Sequence, residues 1–193
     1  MPLRIQSNAE PIPGYRLIEK LGSGGFGEVW KAEAPGGLFK AIKFVQRSNS
    51  PGDGVAGMSE ADRSRAEQEW KSLGRVKTVR HPFIVLLDRY EIIDDYLVIV
   101  MELADRTLAD RFKECRSQGL PGLPREELLG YMAEAAEVLD LMSTQYQLQH
   151  LDIKPQNLFL VHNHIKVADF GLVKDTTEGA KLMTITGGVT PVY

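Results

Sequence analysis

The chain has 193 residues, 43% hydrophobic and 25% charged, with a formal net charge of −3. This length allows one or two domains with a sizeable core, and the slight acidity gives no whole-chain reason to expect nucleic acid or an anionic membrane surface as partner. No apolar run nears the ~20 residues that span a bilayer, and the lone cysteine, Cys115, excludes an intrachain disulfide, fits a reducing compartment and reads as a packing or helix-surface residue rather than a nucleophile.

Residues 1–14 carry three prolines and little periodicity, and read as an arm. They lack the basic-then-apolar pattern of a secretory leader. From Tyr15 to Val45 the pattern is strand-like: Leu17 to Leu21 leads into Gly22-Ser23-Gly24-Gly25-Phe26-Gly27, Glu28 to Ala32 leads out, and Phe39 to Val45 forms a third strand. Residues 46–58 hold Ser, Asn, Pro and three glycines and read as a loop. Ser59 with Asp62 has the form of a capping box, opening a helix to about Val76 that carries Glu69 and Leu73. His81-Pro82 ends that helix, and strands follow near 84–91 and 96–101. Thr107 with Asp110 opens another helix. Pro124 opens a longer one, whose Leu128, Tyr131, Met132, Ala135, Val138, Leu139 and Met142 predict a buried face. The coarse expectation is a small antiparallel sheet with one helix, then a helical region whose loops carry polar motifs.

Three motifs carry chemistry. The first is Gly22-x-Gly24-x-x-Gly27-x-Val29, which lets backbone N–H groups approach phosphates. Taken alone it is weak. A dinucleotide-binding turn needs a helix and an acid about 20 residues on, where Lys43 and Phe44 stand instead. A Walker-type loop needs Lys-Ser/Thr where Glu28-Val29 stands, and a plain glycine-rich hairpin stays open. The second is Lys43, inside the apolar strand Ala41-Ile42-Lys43-Phe44-Val45. Burying an unpaired ammonium is costly, so Lys43 needs phosphate oxygens or a helix carboxylate, with Glu69 the first choice and Glu67 the second. Snorkelling to solvent is the plain alternative.

The third is His150-Leu151-Asp152-Ile153-Lys154-Pro155-Gln156-Asn157, with Asp169-Phe170-Gly171 starting twelve residues after Asn157. It supplies a carboxylate for an attacking hydroxyl, a cation for a moving phosphoryl group, and oxygens for Mg²⁺, the set that phosphoryl transfer from ATP needs. An ordinary Asx turn or a structural His–Asp hydrogen bond could imitate parts of it, but not all of it in this order.

Together these motifs resemble the eukaryotic-type protein kinase family over roughly residues 15–193. The resemblance implies an α+β, two-lobed fold with ATP in the cleft: an antiparallel five-stranded N-lobe with one helix and the hinge over 15–103, then an incomplete, mainly helical C-lobe over 104–193. It implies that Lys43 holds the α- and β-phosphates and pairs with Glu69, that Asp152 accepts the substrate proton, that Lys154 neutralises charge at the γ-phosphoryl, and that Asn157 and Asp169 hold Mg²⁺. Met101 would be the gatekeeper, and backbone groups of Glu102 and Ala104 the hinge. Val29 and Ala41 would cover the adenine with Phe159 below it, and Leu21, Gly22, Gly24 and Gly27 would complete the nucleotide site. Leu73, Leu87, His150 and Phe170 would stack as a hydrophobic column. Lys154-Pro155 resembles the serine/threonine pattern, and Thr190-Pro191-x-Tyr193 the loop that receives a protein substrate.

Three features depart from the family pattern. Leu151 stands where arginine is usual and cannot pair with a phosphorylated loop, so activation is expected not to depend on phosphate docking there. About three extra residues near Thr78-Val79-Arg80 read as a longer helix end. The family pattern continues past Tyr193 with Ala-Pro-Glu and further helices, so the segment is expected to be poorly stable or inactive alone, with part of the 128–142 apolar face lacking its partner. The leading expectation is an ATP- and Mg²⁺-dependent serine/threonine protein kinase. The alternative is a non-catalytic nucleotide-binding or interaction module. ATP chemistry and the lone cysteine point to the cytoplasm for this segment, with membrane tethering beyond residue 193 left open.

Overall fold

The computed structural model describes residues 3–24, 27–46, 70–169 and 174–175. The chain divides into two compact units, Met1–Trp70 with Val85–Ala104 and Lys71–Ile84 with Asp105–Tyr193. Residues 71–84 thus group with the second unit.

The first unit is a five-stranded antiparallel sheet. Its strands are β1 (Arg16–Gly24), β2 (Gly27–Ala34), β3 (Leu38–Gln46), β4 (Leu87–Ile93) and β5 (Tyr96–Glu102), in the order β1-β2-β3-β5-β4. Strand alternation sorts the side chains onto two faces. One face holds Trp30, Ala32, Ile42, Phe44, Val98 and Val100, all buried in one apolar cluster. The other carries Val29, Ala41, Lys43, Ile99 and Met101, because Lys43 pairs with both Val29 and Ile99 and Ala41 pairs with Met101. Strand β4 starts at Leu87, later than the apolar run at 84. Ile84 is spent on a parallel bridge with Val167, and the Phe83 carbonyl accepts from Val167 N–H at 2.8 Å.

The N-terminal arm packs on this sheet. Ile12 is fully buried in the apolar cluster, with Leu3, Ile5 and Tyr15 against it. Asn8 N–H donates to Leu17 O and Leu17 N–H to Ala9 O, each at 2.8 Å.

A helix, α1, covers 70–76 up to the expected Val76, with 71–76 in the second unit; its expected start at 59–69 lies outside the described residues. The extra residues 78–80 do not prolong it as α-helix. Thr78 N–H donates to Arg75 O and Val79 N–H to Val76 O, three residues back, so the chain tightens into a turn that buries Val79. Helix α2 (Leu108–Ser117) opens on the expected capping box: Asp110 N–H donates to Thr107 Oγ1 at 3.1 Å and Thr107 N–H to Asp110 Oδ2 at 3.2 Å. Cys115 is buried in it. Helix α3 (Arg125–Tyr146) follows Pro124. Its buried stripe is Tyr131, Ala135, Val138 and Met142, a repeat of three to four residues. Leu128 and Met132 flank that stripe and stay exposed, which corrects the wider face expected from sequence.

The second unit is not simply helices joined by loops. Among its described residues are five short strands: β6 (Arg106–Thr107), which precedes α2, and β7 (Leu148–Gln149), β8 (Leu158–Val161), β9 (His164–Val167) and β10 (Lys174–Asp175), which follow α3. They form a β6-β8-β9 sheet and a β7–β10 pair. The β8–β9 hairpin turns on His162 and Asn163, both with positive φ, the geometry of a two-residue primed turn. No helix among the described residues is long and apolar enough to cross a membrane.

Candidate functional site

In the first unit, strand register does the positioning. Val29, Ala41, Lys43 and Met101, four residues of the expected nucleotide set, share one sheet face, and Lys43 is buried there. Glu69 and Glu67, its expected partners, lie outside the described residues. The glycine-rich turn separates into two kinds of glycine. Gly22 has nothing within 4 Å of where a Cβ would stand. Gly27 has φ +97, and a Cβ there would sit 2.0 Å from the Phe44 carbonyl oxygen. Gly27 is therefore required by the closeness of β2 to β3, whereas Gly22 leaves open room beside the turn. Gly24 pairs with Gly27 across the turn, and Leu21 is half-exposed. At the far end of β5, Glu102 N–H donates to Leu86 O at 3.0 Å and Glu102 Oε1 accepts from Leu86 N–H at 2.7 Å. This pins the start of the extended link at 103–104.

In the second unit, the expected chemical residues meet on one loop. Asn157 Nδ2 donates to the Asp152 carbonyl and to Asp152 Oδ2, both at 2.9 Å. Lys154 Nζ lies 2.8 Å from the same Oδ2. Two cationic or N–H donors thus fix one carboxylate oxygen of Asp152. The acceptors on Asp152 require the Asn157 nitrogen to face them, which leaves Asn157 Oδ1 available to a cation. Asn157 is itself buried, and its backbone closes the loop: its N–H donates to Lys154 O at 2.9 Å and its carbonyl accepts from Ala168 N–H at 3.1 Å. That second bond brings Asp169, next in sequence, beside the loop. Phe159 is half-buried in β8.

The loop is anchored from two sides. Ala109 N–H, in the first turn of α2 where helix donors lack an internal acceptor, donates to Pro155 O at 3.1 Å. His150, buried, bonds through Nε2 to Ala168 O at 2.9 Å, while its Nδ1 lies 3.4 Å from Asp152 N–H. Nε2 must donate to a carbonyl and Nδ1 must accept from an amide, so the ring is the neutral Nε2–H tautomer. Burial agrees with this: it holds the His150 pKa below its ordinary value, against the smaller opposing effects of the Ala168 carbonyl, Asp169 and Asp152. Leu151 and Asp169 both take positive φ, 58° and 63°. Such conformations are costly for a residue like leucine and persist only where the surroundings impose them. Between α2 and α3, Arg111 donates to both oxygens of Glu127, at 2.7 and 3.0 Å, and Tyr131 OH donates to Glu127 at 3.1 Å. The Arg111 hydrogen bond holds the Glu127 carboxyl below its ordinary range. This joins the helix that anchors Pro155 to the long helix behind it.

The donor set fits Mg²⁺. An amide oxygen and a carboxylate are hard oxygen ligands, and Mg²⁺ is commonly held by one or two carboxylates together with substrate phosphates rather than by an all-protein cage. Among the described residues there is no cluster of three or more His, Cys, Asp and Glu that could hold a metal.

Phe170, Gly171 and 176–193, including Thr190, lie outside the described residues. Leu73 and His150 are buried and Leu87 half-buried. Sequence reasoning missed two helix carboxylates that brace the scaffold. Glu134 accepts from Ile165 N–H at 2.7 Å and meets His164 Nδ1 at 2.6 Å, and Glu137 meets His81 Nε2 at 3.1 Å. Their spacing, one turn apart on α3, is visible in sequence, but their partners are not.

The family description that matches residues 15–193 is the protein kinase domain. The chain is 30% identical to a carbon catabolite-derepressing protein kinase of Candida tropicalis over 193 residues, 96% of this chain and 28% of that protein. It is 30% identical to death-associated protein kinase 2 of Homo sapiens over 179 residues, 90% of this chain and 45% of that protein. It is 27% identical to serine/threonine-protein kinase ULK3 of Rattus norvegicus over 187 residues, 94% of this chain and 36% of that protein. The chain spans less than half the length of these curated relatives.

Proposed function

The chain belongs to the protein kinase domain family, and on that premise we propose that it transfers the γ-phosphoryl group of ATP to serine or threonine hydroxyls of protein substrates. The observation that carries this reading is the Asp152–Lys154–Asn157 network, with one carboxylate oxygen fixed at 2.8 and 2.9 Å. A carboxylate so held is a positioned proton acceptor. The named serine/threonine kinase among the relatives and Lys154-Pro155 support the choice of hydroxyl.

In this reading residues 1–14 are an arm, 15–103 the nucleotide-binding lobe and hinge, and 104–193 part of the catalytic lobe. Leu21, Gly22, Gly24, Gly27, Val29, Ala41, Met101, Glu102, Ala104 and Phe159 contact the nucleotide, and Lys43, paired with Glu69, holds its phosphates. The substrate oxygen attacks the γ-phosphorus, the bond to the β–γ bridging oxygen breaks, and ADP leaves with that electron pair. Asp152 takes the hydroxyl proton, and Lys154 offsets negative charge on the moving group. Asn157 and Asp169 would hold Mg²⁺, whose charge stabilises the developing negative charge on the phosphate oxygens. ATP supply and the reducing conditions suited to a lone cysteine support a cytoplasmic setting for this segment.

The test is to incubate the full-length protein with Mg·ATP labelled in the γ-phosphate and a mixture of proteins, then identify the labelled amino acid. Label on phosphoserine or phosphothreonine is expected. Label only on tyrosine or on small molecules would overturn the assignment.

A further inference from the structure

We propose that residues 3–14 act as a strap that binds the apolar face of the first-unit sheet and, by holding edge strand β1, sets the position of the glycine-rich turn. Sheet order leaves β1 at an edge, and an edge strand presents unpaired backbone groups. The arm covers them where they are free. Both backbone groups of Leu17 bond to the arm, N–H to Ala9 O and O to Asn8 N–H, each at 2.8 Å. Ser7 Oγ donates to the next carbonyl, Ile18 O, at 2.7 Å.

The arm then crosses the sheet. Leu3 N–H donates to Asp94 Oδ2 at 2.8 Å, in the turn between β4 and β5. From β1 to β5 there are three inter-strand steps, about 14 Å in all at ~4.8 Å each. The five residues from Asn8 to Leu3 reach about 17 Å when extended. The arm is thus long enough to cross nearly taut, and Leu3 and Ile5 lie on the buried cluster that includes Ile42, Phe44, Val98 and Val100. At its other end the chain reverses tightly, with Tyr15 N–H bonding to Ile12 O at 2.9 Å and Ile12 fully buried. Gly14 fits this reversal with φ +83, where a Cβ would sit 3.0 Å from Pro35.

The consequence for function follows from continuity. β1 runs without a break from the strapped Leu17 to Gly22 and Gly24. Its pairing to β2 carries two register irregularities, between Leu17 and Glu19 and between Lys20 and Gly22. A strand with bulged pairing on one side gains its remaining restraint from the other, which is where the strap lies. Releasing the strap leaves β3 and β5 paired on both sides but loosens β1 and the turn it carries. The effect on nucleotide rests on the kinase reading, whereas the effect on β1 does not.

The experiment is hydrogen exchange on the full-length protein together with Mg·ATP titration, comparing wild type with Ile5→Asp and with Asp94→Gly. The second variant removes the Leu3 acceptor but suits the positive φ at that site (49°) and leaves the apolar packing intact, so it remains informative if Ile5→Asp does not fold. The expected result is protected amides at Asn8 and Leu17 in wild type. In the variants, exchange across 8–24 should rise by about tenfold, with β3 and β5 unchanged and a severalfold weaker Kd for Mg·ATP. Unprotected Asn8 and Leu17 amides in wild type would overturn the strap. Faster exchange in 8–17 with an unchanged turn and unchanged Kd would overturn its coupling to the turn. If wild type binds no Mg·ATP, the kinase reading fails, and the exchange rates still decide the strap.

Discussion

The two units hold their proposed functional side chains by different means. In the first, Lys43 is placed by backbone pairing, between Val29 on one neighbouring strand and Ile99 on the other. In the second, Asp152 is placed by side chains, with Asn157 and Lys154 on one of its oxygens and His150 bracing the loop beneath. A sheet fixes position by many equivalent bonds, so single side chains can change there at little cost to geometry, whereas backbone approach cannot. A polar loop fixes position by a few specific bonds, so deleting one partner moves the chemistry while leaving the fold standing.

Variants can break this contrast. The largest effect is expected from Asn157→Ala. It removes both bonds to Asp152 and one expected Mg²⁺ ligand, so phosphoryl transfer should fall by at least ~10²-fold, the scale of a misplaced catalytic group. Calorimetry should show the fold intact, and a transfer rate near wild type would mean that the network does not position Asp152. Next comes the glycine pair. Gly27→Ala forces a Cβ against Phe44 O at a left-handed φ and should lower stability by ~1–3 kcal/mol. Gly22→Ala should stay within about 0.5 kcal/mol but weaken Mg·ATP binding, since it fills space that nothing in the protein occupies. Equal unfolding shifts for the two would erase the distinction.

A smaller effect concerns pH. His150 is held below its ordinary pKa by burial. The unfolded chain therefore binds more protons than the folded one just below the usual histidine pKa of about 6.5. This contribution to stability is complete above that value and is lost as pH falls from it toward the lowered folded value. His150→Gln should flatten the slope of stability against pH in that window, as read by urea unfolding across the pH range; an unchanged slope would place the titration elsewhere. The smallest effect is predicted for Trp30→Phe. Among the described residues, Trp30 Nε1 is buried without a hydrogen-bond partner. Removing a donor that costs ~1–3 kcal/mol offsets the lost packing, so the net change should stay within about 1 kcal/mol. A loss of several kcal/mol would show that the indole N–H is satisfied after all.

The parts of this arrangement that were legible in sequence are those with local signatures. The strand-like runs at 28–32 and 39–45 mark two strands of the sheet, and a lysine in an apolar strand stands out because burial is costly. The Thr107–Asp110 box announced α2 by its spacing. The unseen parts depend on partners distant in sequence. Strands of two to four residues, such as β6 and β7, are shorter than any period that could reveal them. The His81–Glu137 and His164–Glu134 contacts join residues brought together only by packing. Three prolines and little periodicity mark residues 1–14 only as an arm. Yet Ile5 and Ile12 are held by the sheet beneath them rather than by any pattern of their own.

The central claim is that Asp152, held as the structure shows, accepts a proton from a serine or threonine hydroxyl. Its most direct test compares wild type with Asp152→Asn in the full-length protein, measuring γ-phosphoryl transfer to a serine/threonine protein substrate alongside Mg·ATP affinity. Asparagine keeps the size and an acceptor for Asn157 but cannot take the proton. The account predicts transfer by wild type, a fall of ~10²–10⁴-fold in the variant, and similar nucleotide affinity in both. Equal transfer by the two proteins, or Mg·ATP binding by wild type with no transfer at all, would contradict it.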